Sequence, residues 1–517
     1  MAEVKEKAVH IERSHAEIVT IISALMLAML LAALDQTIVA TALPRIATDL
    51  HGISKISWVA TSYLLTSAIV TPLYGKISDQ VGRKKVFQFA IVVFLLGSAL
   101  SGLSQNMNEL VIFRGLQGLG GGGLISLSLS VIGDIVTPRE RGKYQGYFGA
   151  VFGVASIAGP LLGGFFTEHL SWRWIFYINI PIGIIALIAI AARLHLPPSV
   201  KKHKLDYGGA VLMTISLATS ILALTWGGTT YSWTSHQIIG LFVVAVLSLI
   251  ALIFQERRAK EPIIPLSLFK NSIFTVSSAL SLLIGLIMLG TIIFLPIYLQ
   301  IVRGDSPTAS GLYLIPFVGG ILISSITSGQ LITKFGKYKI YPIIGTLLVG
   351  LGLWLFSHVT ATTSQFNLSI WMIITGLGMG LFMQVMTLAV QNSVDTRQMG
   401  TATGLVTFFR SYGSAIGTAV FGAILIGRLS YHLGKVLPSA IANKVKAGVM
   451  SGMSGAGGVS LPKSIYDPVI KAFSLSFHDV FIAAIPFIVV AFVFAIFLKE
   501  TPLRTSTKHH TENFLGE

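Results

Sequence analysis

Apolar runs of about 20 residues recur along this chain from one end to the other. A run of that length crosses the hydrocarbon core of a bilayer as an α-helix, because a helix satisfies its own backbone hydrogen bonds. The chain has 517 residues, of which 53% are hydrophobic and only 11% are charged. Because a soluble protein carries about a quarter charged residues, this composition predicts an all-α membrane protein.

The charges of the loops predict how the spans are oriented. We count fourteen apolar spans, and the even number places both termini on one side of the membrane. The short loops of one face hold few basic residues, namely Arg45, Lys55, Arg173 and Arg303, whereas the loops after the even-numbered spans are rich in Lys and Arg. Cytoplasmic loops carry such an excess, so both termini are predicted to be cytoplasmic. The spans begin near Ile18, Ile56, Val86, Glu109, Gly142, Arg173, Asp206, Gln237, Ser272, Ala309, Tyr338, Asn367, Met399 and Phe477.

The same asymmetry accounts for most of the formal net charge of +16, so this charge does not indicate nucleic-acid binding. Attraction to the anionic lipids of the inner leaflet is its simplest cause. The chain has no cysteine, and its 12 histidines show no metal-ligand spacing on one helix face. We also find no nucleophile–base motif and no cofactor loop. We therefore predict that the protein is not an enzyme and binds no metal and no cofactor.

The two halves of the chain show faint self-similarity. Residues 75–85 after span 2 match residues 329–339 after span 10, and four glycines of span 5 recur at the same spacing in span 13. Transporters are commonly built from such repeats, with the binding site at their interface. The predicted segments are a tail 1–17, a six-helix bundle 18–195, an inserted helix pair 206–255, a second six-helix bundle 272–499 that includes an outer loop 428–476, and a tail 500–517.

The outer loop carries two stretches, 440–450 and 461–473, that are predicted to form short helices. The glycine-rich segment between them can act as a flexible turn, which would make a hairpin over the outer mouth of the bundle. A disordered loop is the alternative, because the same glycines favour disorder.

Three charged residues lie inside apolar spans. Asp35 is deep in the first span, Arg114 is in the fourth and Arg410 is in the thirteenth. An ionisable residue inside a membrane is expensive, so each of them indicates a functional group that faces protein or water. The alternative for Asp35 is a buried acid that neighbouring hydroxyl groups satisfy. The alternative for the arginines is a structural charge without a role in transport.

Two glycine-containing motifs accompany these charges. The loop after span 2 carries Gly75, Asp79, Gly82 and Arg83. Span 5 carries Gly149, Gly153, Gly159, Pro160, Gly163 and Gly164. Together with residues 34–44 around Asp35, these motifs resemble those of the fourteen-helix drug:proton antiporters, a branch of the major facilitator superfamily. The chain departs from that branch at Ala40, where asparagine is usual, and at Thr333, which replaces the acid in the second copy of the loop motif.

The resemblance implies a role for each group. Asp35 and Arg114 would couple transport to protons, since a carboxyl group that alternates between wet and dry surroundings can take up a proton on one side and release it on the other. The loop motif would form a cytoplasmic gate that favours the outward-facing state, with only its first copy intact. The span-5 motif is typical of exporters. The resemblance also implies a bacterial cytoplasmic membrane as the location.

Aromatic, sulfur-containing and polar side chains are candidates for the wall of a substrate cavity, because flexible methionine surfaces suit varied ligands. Each of them is individually more common in helix packing. Span 10 carries no acid, which argues against dicationic substrates. The candidates are Tyr63, Gln117, Phe294, Tyr298, Phe317, Met379, Met383, Gln384, Met386, Phe408 and Arg410.

By this resemblance we predict a monomeric, proton-coupled antiporter that exports hydrophobic, cationic or neutral drug-like compounds by rocking of its two bundles. Its partners would be the proton, small hydrophobic substrates and membrane lipids. One alternative is an exporter or flippase of a lipid or another metabolite on the same scaffold. A second alternative is a membrane sensor or scaffold that transports nothing.

Overall fold

The computed structural model describes residues 15–52, 55–194, 206–228, 230–305, 307–360, 362–395, 398–438 and 463–503. These ranges contain sixteen α-helices joined by short connections. The helices are α1 (His15–Asp49), α2 (Ile56–Val81), α3 (Arg83–Leu103), α4 (Met107–Ile135), α5 (Pro138–His169), α6 (Trp174–Tyr177), α7 (Asn179–Arg193), α8 (Tyr207–Trp226), α9 (His236–Arg258), α10 (Ser272–Ile301), α11 (Pro307–Leu312), α12 (Ile315–Phe335), α13 (Ile340–Ser357), α14 (Gln365–Ser393), α15 (Met399–Val436) and α16 (Lys463–Phe497).

The sixteen helices form fourteen membrane spans. Twelve spans of the described chain are long and apolar enough to cross a bilayer. The other two, α2 with 26 residues and α10 with 30, also exceed the roughly 20 residues that a crossing requires. Two spans are interrupted: α6 and α7 form one ahead of Pro181, and α11 and α12 form another ahead of Pro316. The predicted all-α fold with fourteen spans is confirmed.

Two separate apolar cores hold two six-span halves together. The N-terminal half, α1–α7, packs around Phe87, Phe94 and Phe148 among others. The C-terminal half, α10–α16, packs around Phe274 and Phe481 among others. The halves meet chiefly along two helix pairs, α5 with α12 and α2 with α15. The fold therefore consists of two six-span bundles that pack against each other along these two helix pairs.

The glycines of the predicted repeat lie where these two helix pairs cross. A Cβ atom on Gly75 of α2 would lie 2.5 Å from the carbonyl oxygen of Gly400 in α15. A Cβ atom on Gly142 of α5 would lie 2.9 Å from the carbonyl oxygen of Gly329 in α12. A side chain at either position would push the helices apart, so glycine permits this backbone approach. Both crossings lie at the end of the bundle that carries the loops after the even-numbered spans, called the basic end below.

The inserted helices α8 and α9 pack against each other at the side of the two bundles. Met213 and Leu217 of α8 form a small apolar cluster with Ile69 of α2 and Phe408 of α15. Phe408, a candidate for the cavity wall, therefore packs toward the inserted pair. On α9, a row of large apolar side chains is exposed, namely Val243, Val244, Val246, Leu247, Leu249, Ile250 and Phe254.

We expect cysteines placed at Val246 and Ile250 to react with a lipid-soluble maleimide and not with a membrane-impermeant one. Both side chains are about half exposed, at 54% and 46%, on an apolar face of a membrane helix. The chain has no cysteine of its own, so each variant carries a single thiol. A cysteine at Lys337, in a loop of the basic end, controls for the impermeant reagent. Protection of the α9 thiols by substrate would place this helix on the transport path.

The predicted outer loop is shorter in the structure. Helix α15 continues to Val436 and α16 begins at Lys463. At 1.5 Å per residue, the 38 residues of α15 extend about 57 Å, which exceeds the roughly 30 Å hydrocarbon core. The C-terminal turns of α15, which carry Arg428 and Lys435, therefore extend beyond the membrane. Asp479 of α16 contacts His432 at 2.9 Å there. The predicted short helix 461–473 falls largely within α16, and 440–450 lies outside the described residues.

Candidate functional site

Asp35 and Arg114 form a buried ion pair between α1 and α4. Asp35 is 0% exposed and Arg114 is 2% exposed. The Nη1 atom of Arg114 donates to Oδ2 of Asp35 at 2.6 Å. The guanidinium also lies over the ring of Tyr63, 4.4 Å from its centroid. Two charged groups that are far apart in the sequence thus meet inside one half of the molecule. This pairing is expected, because an isolated buried charge would cost much free energy.

Neutral polar groups complete the shell of the carboxylate. The Nε2 atom of Gln117 donates to Oδ1 of Asp35 at 2.9 Å, and Nδ2 of Asn179 lies 3.5 Å from the same oxygen. Gln117 and Asn179 both also donate to Oγ of Ser98, at 3.1 and 3.0 Å. We call Asp35, Arg114, Gln117, Asn179 and Ser98 the Asp35 site. Four of the six spans in the N-terminal half, spans 1, 3, 4 and 6, contribute to it.

The glycine run of α4 brings the neighbouring helices close enough to build this site. A Cβ atom on Gly118 would collide with the backbone of Tyr63 in α2, which it would approach to 2.9 Å at the Cα atom. A Cβ atom on Gly97 of α3 would lie 2.5 Å from the Cα atom of Gln117. These close approaches set Ser98 and Tyr63 against the polar face of α4.

This arrangement leaves the carboxylate little capacity for another partner. Each oxygen of Asp35 already accepts a hydrogen bond from the protein. A proton could be added only by weakening the bonds from Arg114 and Gln117, because a protonated oxygen no longer accepts a charged hydrogen bond well. The site is therefore suited to switching between a charged, tightly bonded state and a neutral, loosened one.

A second charged cluster lies at the basic end. The carboxylate of Asp79 accepts hydrogen bonds from the backbone N–H groups of Gly400 and Thr401, at 3.1 and 2.8 Å, and from the Thr401 hydroxyl at 2.8 Å. These groups form the first turn of α15, where the helix dipole favours a negative charge. Arg83 contacts Asp79 at 2.6 Å, next to Gly82, whose φ of +105° allows the tight turn between α2 and α3.

Arg83 also joins this cluster to α4. Its Nε atom donates to Oδ2 of Asp134 at 2.7 Å. Asp134 lies in the last turn of α4, and there it binds the same arginine that binds Asp79. We call Asp79, Arg83, Asp134 and the first turn of α15 the latch. The latch connects the N-terminal half to the C-terminal half at the basic end.

The second copy of the latch is neutral but still makes contact across the halves, although the sequence suggested that only the first copy is intact. Thr333 occupies the position of the acid, and its Oγ1 accepts from the backbone N–H of Lys143 at 3.2 Å. Nearby, Arg139 donates to the Thr333 carbonyl oxygen at 3.1 Å. The hydroxyl group takes over the acceptor role of the missing carboxylate.

We expect Asp79→Asn to open the basic end far more than Thr333→Val does. The carboxylate contributes up to about 2 kcal/mol at a partly buried helix N-terminus, whereas the threonine makes one neutral hydrogen bond. The measurement is the distance distribution between spin labels on cysteines at Lys85 and Lys337, which lie in opposite halves at the basic end. Similar shifts in the two variants would show that the charge of Asp79 does not hold the gate.

The residues of the span-5 motif face several neighbouring helices. Gly159 and Gly163 face α1, where Cβ atoms would collide with the hydroxyl groups of Thr37 and Thr41, two and six residues past Asp35. Gly149 and Gly153 face α12 and α14 of the other half. There, added Cβ atoms would lie 2.6 Å from Gln384 Nε2 and 2.9 Å from Val318, respectively. Pro160 faces α11 at Gly311. Gly164 has no atom within 4 Å of an added Cβ, so it takes no part in close packing.

Most of the candidates for the cavity wall separate into three groups. Tyr63 and Gln117 belong to the surroundings of Asp35. Met383 and Arg410 line a small pocket in the C-terminal half together with residues of α10 and α14. A third group packs in the apolar core of that half, namely Phe294, Tyr298, Phe317, Met379 and Met386. Tyr298, for example, donates from its hydroxyl group to the Thr360 carbonyl oxygen at 2.7 Å. Two candidates fall outside these groups: Phe408 packs toward the inserted pair, and Gln384 lies beside Gly149 of α5.

Two sets of polar residues were not singled out from the sequence. Asn179 and Ser98 complete the Asp35 site. At the basic end, Gln145 of α5 donates to the side-chain oxygen of Gln391 in α14 at 3.0 Å, and Gln391 donates to the Leu129 carbonyl oxygen at 2.9 Å. Uncharged amides in apolar helices were the available signal, because a buried amide requires partners.

Comparison with known proteins agrees with this architecture. The chain matches the Major Facilitator Superfamily over residues 25–418. It is 41% identical over 483 residues to an uncharacterized MFS-type transporter of Mycobacterium tuberculosis (strain ATCC 25618 / H37Rv), covering 93% of this chain and 70% of that protein. It is 38% identical over 510 residues to the multidrug transporter protein MdtP of Bacillus subtilis (strain 168), covering 94% of each.

Among solved structures, the proton:xylose symporter XylE bound to 6-bromo-6-deoxy-D-glucose superimposes with a TM-score of 0.62. The alignment covers 94% of this chain and 97% of that chain at 15% sequence identity, so the likeness concerns the fold alone. The family match, by contrast, extends over most of the chain, and the relatives are similar over nearly its full length. The chain therefore belongs to the Major Facilitator Superfamily and is a multi-pass membrane transporter, not an enzyme.

Proposed function

We propose that this protein is a proton-coupled antiporter that exports hydrophobic, drug-like compounds by alternating access, with its basic end in the cytoplasm. Relatives that are named a multidrug transporter and a multidrug resistance protein support the substrate class, and a relative that is named an efflux pump supports the direction. The buried Asp35–Arg114 pair is the observation that carries the proton coupling, because Asp35 is the carboxylate that lies deep inside an apolar span. The proton is the coupling ion in this proposal.

Protonation of Asp35 would change the conformation by loosening the hydrogen bonds that Asp35 accepts from Arg114 and Gln117. With a neutral Asp35, Arg114 loses its charged acceptor and must move toward another partner, and the Asp35 site repacks. Thr37 lies on the same helix and donates to the Ala155 carbonyl oxygen of α5 at 2.9 Å. A shift of α1 is thus passed to α5, and α5 also packs against α12 of the other half. This contact path would couple the proton to the rocking of the two bundles.

The latch and its neutral copy would set which side is open. Hydrogen bonds between the halves are concentrated at the basic end in the described structure, including those of Asp79, Thr333 and Gln391. This conformation therefore closes the path toward the basic end. For substrate to enter from the cytoplasm, these bonds would have to break, so protonation at Asp35 and opening of the latch would occur in different steps of the cycle.

The test is export of dyes from inside-out membrane vesicles that contain the full chain. Cationic, neutral and anionic fluorescent dyes are each assayed with respiration active, with and without a proton uncoupler. We expect accumulation of hydrophobic dyes that the uncoupler abolishes. Accumulation that survives the uncoupler would contradict proton coupling. If no dye accumulates while a fluorescent phospholipid changes leaflet, the protein is a lipid flippase and the drug proposal fails.

A further inference from the structure

Arg410 of α15 is a partly buried cation, and no carboxylate of the described residues pairs with it. It lies eleven residues past the start of α15, or about 17 Å along the helix from the basic end, which places it near the middle of the membrane. Its guanidinium lies 5.7 Å from the ring centroid of Phe152, which belongs to α5 of the other half. Arg410 thus stands at the interface between the two bundles.

The guanidinium faces a small pocket whose wall combines hydroxyl groups with apolar side chains. Ser281 and Thr387 contribute hydroxyl groups from α10 and α14, Thr407 contributes another from α15, and Met383 contributes a flexible apolar surface. Such a mixture suits a small polar head group such as a carboxylate. All of these residues belong to the C-terminal half.

No acid in the described part of the chain is placed to neutralise Arg410. Among the described residues, no carboxylate lies within ion-pair distance of it, and its guanidinium donates no hydrogen bond. The acids outside the described residues all lie in the two terminal segments, at Glu3, Glu6, Glu12, Glu512 and Glu517. The deep acid, Asp35, already binds Arg114 and Gln117. A guanidinium keeps its charge, so a group from outside the protein must balance it or water must solvate it.

From this geometry we infer that Arg410 receives an anionic group of the transported compound, so that hydrophobic monoanions such as lipophilic carboxylates are the preferred substrate class. This inference rests on the proposed export function and makes its substrate more specific. It departs from the cationic or neutral compounds that the sequence suggested. A carboxylate in the pocket would accept from the Arg410 fork and from the surrounding hydroxyl groups, while its apolar body would contact Met383 and Phe382.

The position of Arg410 also connects this subsite to the Asp35 site. Phe152, which faces the guanidinium, packs against a cluster formed by Ala33, Leu34 and Ala155. Leu34 immediately precedes Asp35. Phe152 would therefore be the one side chain between an anion bound at Arg410 and the helix that carries Asp35.

The inference is tested with three pyrene probes that share one short alkyl chain and differ in its end group: a carboxylate, a methyl ester or a trimethylammonium group. Binding to the purified full chain is measured by fluorescence. We expect the carboxylate probe to bind most tightly and the ammonium probe least tightly. Arg410→Gln should weaken the carboxylate probe at least about ten-fold, the loss expected for one charged hydrogen bond, and the ester much less. Arg410→Lys should keep most of the affinity.

Arg428→Gln is the matched control, since Arg428 lies on the same helix but is 53% exposed near Asp479 at the opposite end. Tightest binding of the ammonium probe, or an equal loss of all three probes in Arg410→Gln, would overturn the inference. The order of the probes in the parent protein is informative even if a variant folds poorly. If the order holds but vesicles export none of the probes, the export proposal fails and the anion subsite stands.

Discussion

Replacing Asp35 with asparagine is expected to bring uphill export down to the level of vesicles without the protein. Asparagine keeps the size of the side chain and can still accept from Arg114, but it cannot take up and release a proton. The protein should still insert and bind substrate, because the anion subsite proposed at Arg410 lies in the other half. Uphill export and substrate binding are measured on the same reconstituted sample. Export at the parent rate would exclude Asp35 as the coupling group.

A loss of export in Asp35→Asn must be separated from damage to the fold. Removing one partner of a buried ion pair costs about 3–5 kcal/mol, because the other charge remains buried without compensation. The double variant Asp35→Asn/Arg114→Gln removes both charges and should recover thermal stability. It should remain unable to export uphill. Recovery of export together with stability would mean that the pair is only structural.

The second large effect is expected for Gly159→Ala in the span-5 motif. The added methyl group would collide with the hydroxyl group of Thr37 and would approach the Thr37 Cβ atom to 2.6 Å. Overpacking of this kind costs about 1–3 kcal/mol and would separate α5 from α1. Because α5 connects the Asp35 helix to the other half, we expect export to fall strongly while insertion continues.

Gly164→Ala is the control, since it adds the same methyl group to the same helix where no atom lies within 4 Å. Export should be unchanged in this variant. Spin labels at Lys85 and Lys337 report how far the basic end opens on addition of substrate. The label distances should change with substrate in Gly164→Ala and remain fixed in Gly159→Ala. A Gly159→Ala protein with normal export and a normal distance change would show that this crossing does not transmit the motion.

The sequence was sufficient for the fold and for the charged members of the site. Runs of apolar residues define membrane helices almost without tertiary context, and a charge inside such a run stands out. Asp35, Arg114 and Arg410 were therefore identified from sequence, as was the repeated glycine pattern at the crossings of the two halves. The resemblance to a family supplied the roles that were predicted for these residues.

The remaining features depend on which helix faces which. Asn179 and Ser98 are uncharged, and although a buried amide requires partners, the sequence does not show which helix supplies them. Asp134 lies at a helix end, where acids commonly cap helices, and only the fold shows that Arg83 reaches it. Gly164 belongs to the same motif as Gly159, yet the direction in which each faces decides whether an added methyl group meets a neighbour.

Substrate-driven proton movement in proteoliposomes is the most direct measurement of the proposed coupling. A pH-sensitive dye is enclosed in the vesicles, and a gradient of the pyrene methyl ester is applied, because this probe has no titratable group of its own. The parent protein should move protons against the direction of the ester, and an uncoupler should erase the pH difference. Asp35→Asn should bind the ester but move no protons. Proton movement of equal size in the parent and in Asp35→Asn, or none in a parent that transports the ester, would contradict coupling through Asp35.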